Sequence, residues 1–222
     1  MQNQPHLTWR MRKTLILWLV QVSQEFQLVQ DSLYLAINFI DRISSKRTIL
    51  AGQYQLVGLA SLWLAAKMCE NHGRVPNIKK LMHICCQTYT WDNFCVMERF
   101  ILLELGFYLC HVSSEEVVNS LSFLHGHNLL LLPTTVSVAR YIIEYSLIHK
   151  RFVGVRPSLI ARAALNLACN IVQGHDIQDM YLTEYDLICQ SHLRDCISQP
   201  VAIINKKVFS FFLFLTTCCT LV

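Results

Sequence analysis

Residues 53–69 constrain the fold more than any other stretch. Gly58, Ala60, Ser61, Ala65 and Ala66 alternate there with Leu56, Leu59, Leu62, Trp63 and Leu64. A helix built this way has no polar face. Its small residues let neighbouring backbones approach closely, so it belongs at the centre of a helical bundle. A second small-residue helix follows Arg156-Pro157-Ser158 and carries Ala161, Ala163, Ala164, Leu167 and Ala168. Each stands third in its own run of helices, which reads as a degenerate duplication of about 100 residues and hence as two similar helical domains.

The flanking pattern supports an all-α chain. Leu7, Met11, Leu15, Trp18, Val22 and Phe26 recur at helical steps, and Ile16, Leu17, Leu19 and Val20 widen that stripe almost all round. Asp31 and Ser32 offer N-cap oxygens to a helix with Leu33, Ile37 and Ile40. Asn71, Gly73 and Pro76 end the small-residue helix, and a short helix is expected from Ile78 to Cys86. Thr90 caps the next, with Phe94, Met97, Ile101 and Leu105 inward and Gly106 as its stop. In the second half Ser113 with Glu116 makes a capping box, Pro133 and Thr134 open another helix, and Thr183 starts a last one. The expected architecture is two domains of about five helices each, residues 1–110 and 111–200, followed by an apolar tail, residues 201–222.

Composition narrows the function classes. At 53% hydrophobic the chain can bury a core, and its net charge of +4 comes from dispersed Lys and Arg rather than a basic stripe. That counts against a nucleic-acid surface. The ten cysteines include no C-x-x-C pair, and the adjacent pairs Cys85-Cys86 and Cys218-Cys219 suit neither zinc nor an ordinary disulfide. Reduced, mostly buried thiols are expected, in a nuclear or cytosolic protein. The N-terminus has no secretory pattern, and residues 208–222, uncharged and preceded by Lys206 and Lys207, fall short of the roughly 20 residues that span a bilayer. A buried segment or an atypical chain end is expected there rather than a membrane anchor.

No site for chemistry is legible. Phosphate-binding glycine loops, H-E-x-x-H and G-x-S-x-G are all absent from the sequence. His125 and His127 flank Gly126 with no third ligand nearby, and Glu115-Glu116 is explained by a helix start. Neither a catalytic residue, a metal nor a cofactor is expected.

Several blocks together resemble a known family. MRKTLILWLVQV (residues 11–22) is similar to the MRAILVDWLVEV opening of A- and B-type cyclin boxes. LYLAINFIDR (33–42), QLVGLASLWLAAK (55–67), TYT (88–90), ME (97–98) and LGF (105–107) continue in family order at nearly family spacing across residues 8–110. RYIIEYSLIHKRFVGVRPSLIARAAL (140–165) resembles the second box more loosely.

The resemblance implies a non-catalytic subunit that binds and activates a cyclin-dependent serine/threonine kinase in cell-cycle control, of mitotic type and nuclear. It implies kinase contact by Lys67 and Glu98, with Leu64, Met68, Leu102, Phe107 and Leu109 as apolar neighbours. It also implies a patch of Met11, Leu15, Trp18, Gln21 and Gln55 that docks Arg-x-Leu-type peptides. Here the family's acidic residue is Gln21, its Ile is Thr14 and the Asp before Trp is Leu17; the K-F-E-E run reads Lys67-Met68-Cys69-Glu70. Loss of the acid removes a charge-assisted contact worth about 1.5–3 kcal/mol, so weaker or altered docking is expected. Before Gln4 there is no room for the helix that precedes the box in the family, nor for a degradation signal, which fits a short divergent member or an incomplete chain. The competing reading is a cyclin-fold adaptor that binds protein or nucleic acid without activating a kinase.

Overall fold

The computed structural model describes residues 4–125, 133–174, 182–198 and 204. Among them every regular element is helical. The chain divides into two compact units, Met1–His111 and Val112–Val222.

The first unit holds five α-helices. α1 (Trp9–Glu25) is capped by the Thr8 hydroxyl, which accepts from the Met11 N–H at 3.2 Å. α2 spans Gln30–Lys46 and α3 Tyr54–Cys69. Twelve of the sixteen residues of α3 are buried, as its small-residue pattern requires, and it packs against α1, α2 and α5. At Gly58 a Cβ would lie 2.8 Å from Leu15 Cδ1, so the glycine is what lets α1 come so close. α4 (Ile78–Ile84) starts from the Asn77 side chain, and α5 (Trp91–Glu104) from a Thr90–Asn93 capping box.

Two expectations are corrected here. α2 begins at Gln30, ahead of Asp31 and Ser32, and its N-cap, Val29, makes no side-chain cap. The Glu70 carboxylate at the end of α3 does that work, accepting from the Val29 N–H at 2.6 Å and the Ser32 hydroxyl at 2.9 Å. A charged acceptor at a helix N-terminus meets the dipole better than a hydroxyl does. The helix expected to reach Cys86 stops at Ile84, because Cys86 and Gln87 take left-handed backbone at φ 51° and 58°. α5 ends in the same way, with Gly106 at φ 61° followed by Phe107 at φ 60°. The Gly106 N–H donates to Leu103 O and the Phe107 N–H to Leu102 O, closing the last turn.

The N-terminal segment is fastened to α2. Gln4, 6% exposed, donates to the Ser44 and Arg47 carbonyls at 2.6 and 2.5 Å and accepts from the Ile49 N–H at 2.9 Å. Its amide occupies carbonyls that the helix end leaves without intrahelical donors.

The second unit has four α-helices among the described residues. α6 (Ser114–His125) starts from the Ser113–Glu116 box read from the sequence, with bonds of 3.0 and 2.9 Å. α7 covers Pro133–Leu147, α8 Pro157–Gln173 and α9 Glu184–Ile197. α8, the Ala-rich helix, packs against α6, α7 and α9 and so repeats the central place of α3. Arg162 reaches the fully buried Asp186 at 2.8 Å, and Arg140 reaches Glu115 at 2.6 Å. Gly126, His127 and the tail at 208–222 lie outside the described residues. No helix among the described residues is long and apolar enough to cross a membrane.

Candidate functional site

Lys67 and Glu98 stand 31 positions apart, and the fold joins them: Lys67 Nζ lies 2.5 Å from Glu98 Oε1. Lys67 sits in the last turn of α3 and Glu98 in the middle of α5. One turn back on α3, the Trp63 ring lies under the ammonium, with its centroid 3.4 Å from Nζ. Trp63 in turn meets the buried Phe94 ring edge to face at 6.5 Å. The cation is therefore held between a carboxylate and an indole face, both anchored in helices. The Lys67 side chain remains 36% exposed and that of Glu98 17%, so the pair is ordered yet open to solvent.

The apolar side chains that the resemblance assigns beside it lie at graded depth. Leu64 is buried in the core, Leu102 and Leu109 are half-buried, and Met68 and Phe107 are exposed, at 43% and 66%. Leu64 thus belongs to the core and the others reach the surface. Reading the sequence missed Val96, Leu103 and Tyr108, which are 69%, 57% and 71% exposed. Their signal was available: Val96 and Leu103 are two turns apart on one stripe of α5, outside the face that packs.

The end of α5 is strapped by the basic end of α2. Arg42 donates to the Tyr108 carbonyl at 2.8 Å and stands 5.9 Å from its ring centroid. Lys46 donates to the Glu104 carbonyl at 3.0 Å, and Arg47 Nε to the Glu104 carboxylate at 2.8 Å. The Arg47 hydrogen bond holds the Glu104 carboxyl below its usual range. These cations satisfy carbonyls that the helix terminus leaves open, and they fix the turn that presents Phe107.

The second predicted set lies on α1 and the start of α3. Met11 and Trp18 are half-buried, Gln21 is exposed, and Leu15 is buried at 6% against Gly58. Gln55 is half-buried, its Oε1 3.5 Å from the Tyr89 hydroxyl, which also lies 3.2 Å from the Gly52 carbonyl. Leu15 packs where α1 meets α3 and belongs to the core rather than the surface.

A family model described as the cyclin N-terminal domain matches residues 1–110, and one described as the cyclin C-terminal domain matches residues 120–210. The chain belongs to the cyclin family. Cyclin-A1 of Mus musculus is 36% identical over 79% of this chain and 40% of its own length. Cyclin-A2 of Xenopus laevis is 33% identical over 89% of this chain and 46% of its own length. The G1/S-specific cyclin CCN1 of Candida albicans (strain WO-1) is 33% identical over 93% and 31%. This cyclin therefore spans between a third and a half of these curated relatives. In three dimensions it is similar to a viral cyclin from herpesvirus saimiri, with a TM-score of 0.77 at 18% identity over 89% of each chain, which shows the shared all-α fold.

Proposed function

We propose that this cyclin is the regulatory subunit of a cyclin-dependent serine/threonine protein kinase, which it binds and activates in cell-cycle progression, in the manner of the mitotic A- and B-type members. The observation that carries this reading is the Lys67–Glu98 pair, solvent-reachable and braced by Trp63. Either residue alone has an ordinary structural role. Held together they form a preorganised polar centre, and Met68, Leu102, Phe107 and Leu109 are the apolar neighbours this reading assigns to it, an arrangement that binds a partner at little ordering cost.

Kinase activity needs an ion pair between a strand Lys and a Glu on the kinase C-helix, and that helix has to be positioned first. A rigid two-helix face that prefers the positioned state shifts the kinase's population toward it by its differential affinity. The cyclin itself performs no chemistry in this scheme. Met11, Trp18, Gln21 and Gln55, over Leu15, form a second surface for Arg-x-Leu-type peptides of substrates or inhibitors. Gln21 supplies no charge for the peptide's Arg, so the apolar contact dominates. The nucleus is the proposed place of action; the buried thiols Cys85, Cys169, Cys189 and Cys196 suit a reducing compartment.

The test is co-purification with a panel of cyclin-dependent kinases, followed by histone kinase assay, for the intact chain and for Lys67→Ala/Glu98→Ala. Binding and activation that the double variant loses are expected. Thermal stability should change by about 1 kcal/mol, the upper end of the range for a solvent-reachable pair. Binding without activation would favour the adaptor reading.

A further inference from the structure

The strap at the end of α5 is formed by residues that adjoin an exposed threonine. Arg47 and Thr48 follow α2 directly, and Lys46 is the last residue of that helix. Arg47 takes extended backbone (φ −128°, ψ 141°), as does Leu50 (φ −72°, ψ 142°). Thr48 and Leu50 are exposed on either side of the buried Ile49. An exposed hydroxyl between the extended Arg47 and Leu50, preceded by Lys46 and Arg47, has the shape and charge that a protein kinase selecting basic residues accepts. Ser45 is less suited, because its hydroxyl donates to the Arg42 carbonyl at 2.7 Å inside the helical turn.

We propose that Thr48 is a phosphorylation site whose phosphate loosens the α2 strap on α5 and so weakens the proposed partner surface. This rests on the reading of Lys67, Glu98 and their apolar neighbours as that surface. In the modification the Thr48 oxygen bonds to the γ-phosphorus of a nucleoside triphosphate while the bond from that phosphorus to its bridging oxygen breaks. The nucleoside diphosphate leaves, and the hydroxyl proton passes to the catalytic carboxylate of the modifying kinase.

The product carries about −1.5 to −2 charges beside Lys46 and Arg47, two of the three cations of the strap. Arg47 and Lys46 now hold Glu104 through its carboxylate and its carbonyl. The phosphate competes for both, as a stronger acceptor than either. Lying just past the end of α2, it also opposes that helix's dipole. Both effects act in one direction. Once the strap slackens, the turn of Gly106, Phe107 and Tyr108 loses support that holds a phenylalanine at φ 60°.

The full chain is treated with a purified basophilic serine/threonine kinase and ATP, and the product is mapped by tandem mass spectrometry. Thr48 is expected to carry the phosphate, and Thr48→Val to carry none there. Amide exchange of Gly106, Phe107 and Tyr108 should then quicken about two- to fivefold, the scale of losing an exposed ion pair, and Arg47→Ala should do the same without phosphate. Affinity for the cyclin-dependent kinase should fall by a similar factor. Phosphate on Ser45 alone, or none on the chain, overturns the site. Phosphate on Thr48 with unchanged exchange at 106–108 overturns the mechanism. Mapping and exchange need no partner kinase, so failure of the kinase-binding proposal is read separately, as absence of binding by the untreated chain.

Discussion

Arg12 lies in the strongest sequence block and has no part in either proposed surface. Its side chain is 3% exposed and forks onto Asp41, Nε to Oδ1 and Nη2 to Oδ2, both at 2.7 Å. Nearby, burial foremost and then the Asp41 charge push the Tyr54 hydroxyl well above its usual pKa. Removing the cation leaves a carboxylate facing a buried phenol without its counter-charge. Breaking such a pair costs about 3–5 kcal/mol when both partners are buried; Asp41 is 22% exposed, which places Arg12→Met near about 3 kcal/mol. The urea midpoint of this variant should fall with an unchanged slope, and adding Asp41→Leu should recover part of the loss. Lys67 is exposed and Glu98 half-buried, whereas Arg12, which reading the sequence passed over, is a core strut. Periodicity assigns a place to apolar side chains. It does not say which arginine on a mostly apolar helix finds an acid 29 positions away.

At the scale of elements, α1 and α3 meet where Gly58 faces Leu15. Gly58→Ala pits two effects against each other. Alanine improves a helix interior over glycine by roughly 0.5–1 kcal/mol. Against that, a Cβ 2.8 Å from Leu15 Cδ1 and 3.3 Å from its Cγ has to move a buried side chain, and overpacking of this kind costs about 1–3 kcal/mol. The variant should be destabilised by about 1 kcal/mol net in thermal unfolding, and Trp18 fluorescence should shift, because Leu15 stands three residues before it on α1. The small residues of α3 and α8 made both central helices legible, and local caps at Thr90, Ser113 and Thr183 marked three helix starts. The start of α2 was not legible because its cap, Glu70, comes from 38 residues beyond Ser32. The end of α4 was not legible because Cys86 takes a left-handed conformation in which glycine is usual. The Lys67–Glu98 pair could be named only through family resemblance; no local rule links two helices across that distance.

Across the whole molecule, both units bury thiols. Burial first, then Cys86 for one and Asp186 for the other, pushes Cys85 and Cys189 from the ordinary 9.0 to about 11. Unfolded, these thiols ionise near 9.0; folded, they stay neutral to about 11. Their contribution is therefore complete below pH 9 and is lost as pH rises through 11, since the unfolded chain releases its protons first. Denaturant midpoints should hold through pH 8 and fall across that alkaline window, while a thiol reagent near neutrality should label Cys86 and Cys110, both exposed, well before Cys85 or Cys189. Above the usual phenol range Tyr54 adds to the loss with the same sign.

The paired left-handed residues that end α5 carry an evolutionary consequence. Glycine at 106 relieves the first, but 107 keeps an aromatic ring at a backbone angle that glycine would adopt more comfortably. Selection for heat resistance alone would drift toward glycine there and erase the ring; selection for a partner would retain the ring and tolerate a less robust turn. On the proposed partner surface, position 107 is where durability and sociability would pull in opposite directions.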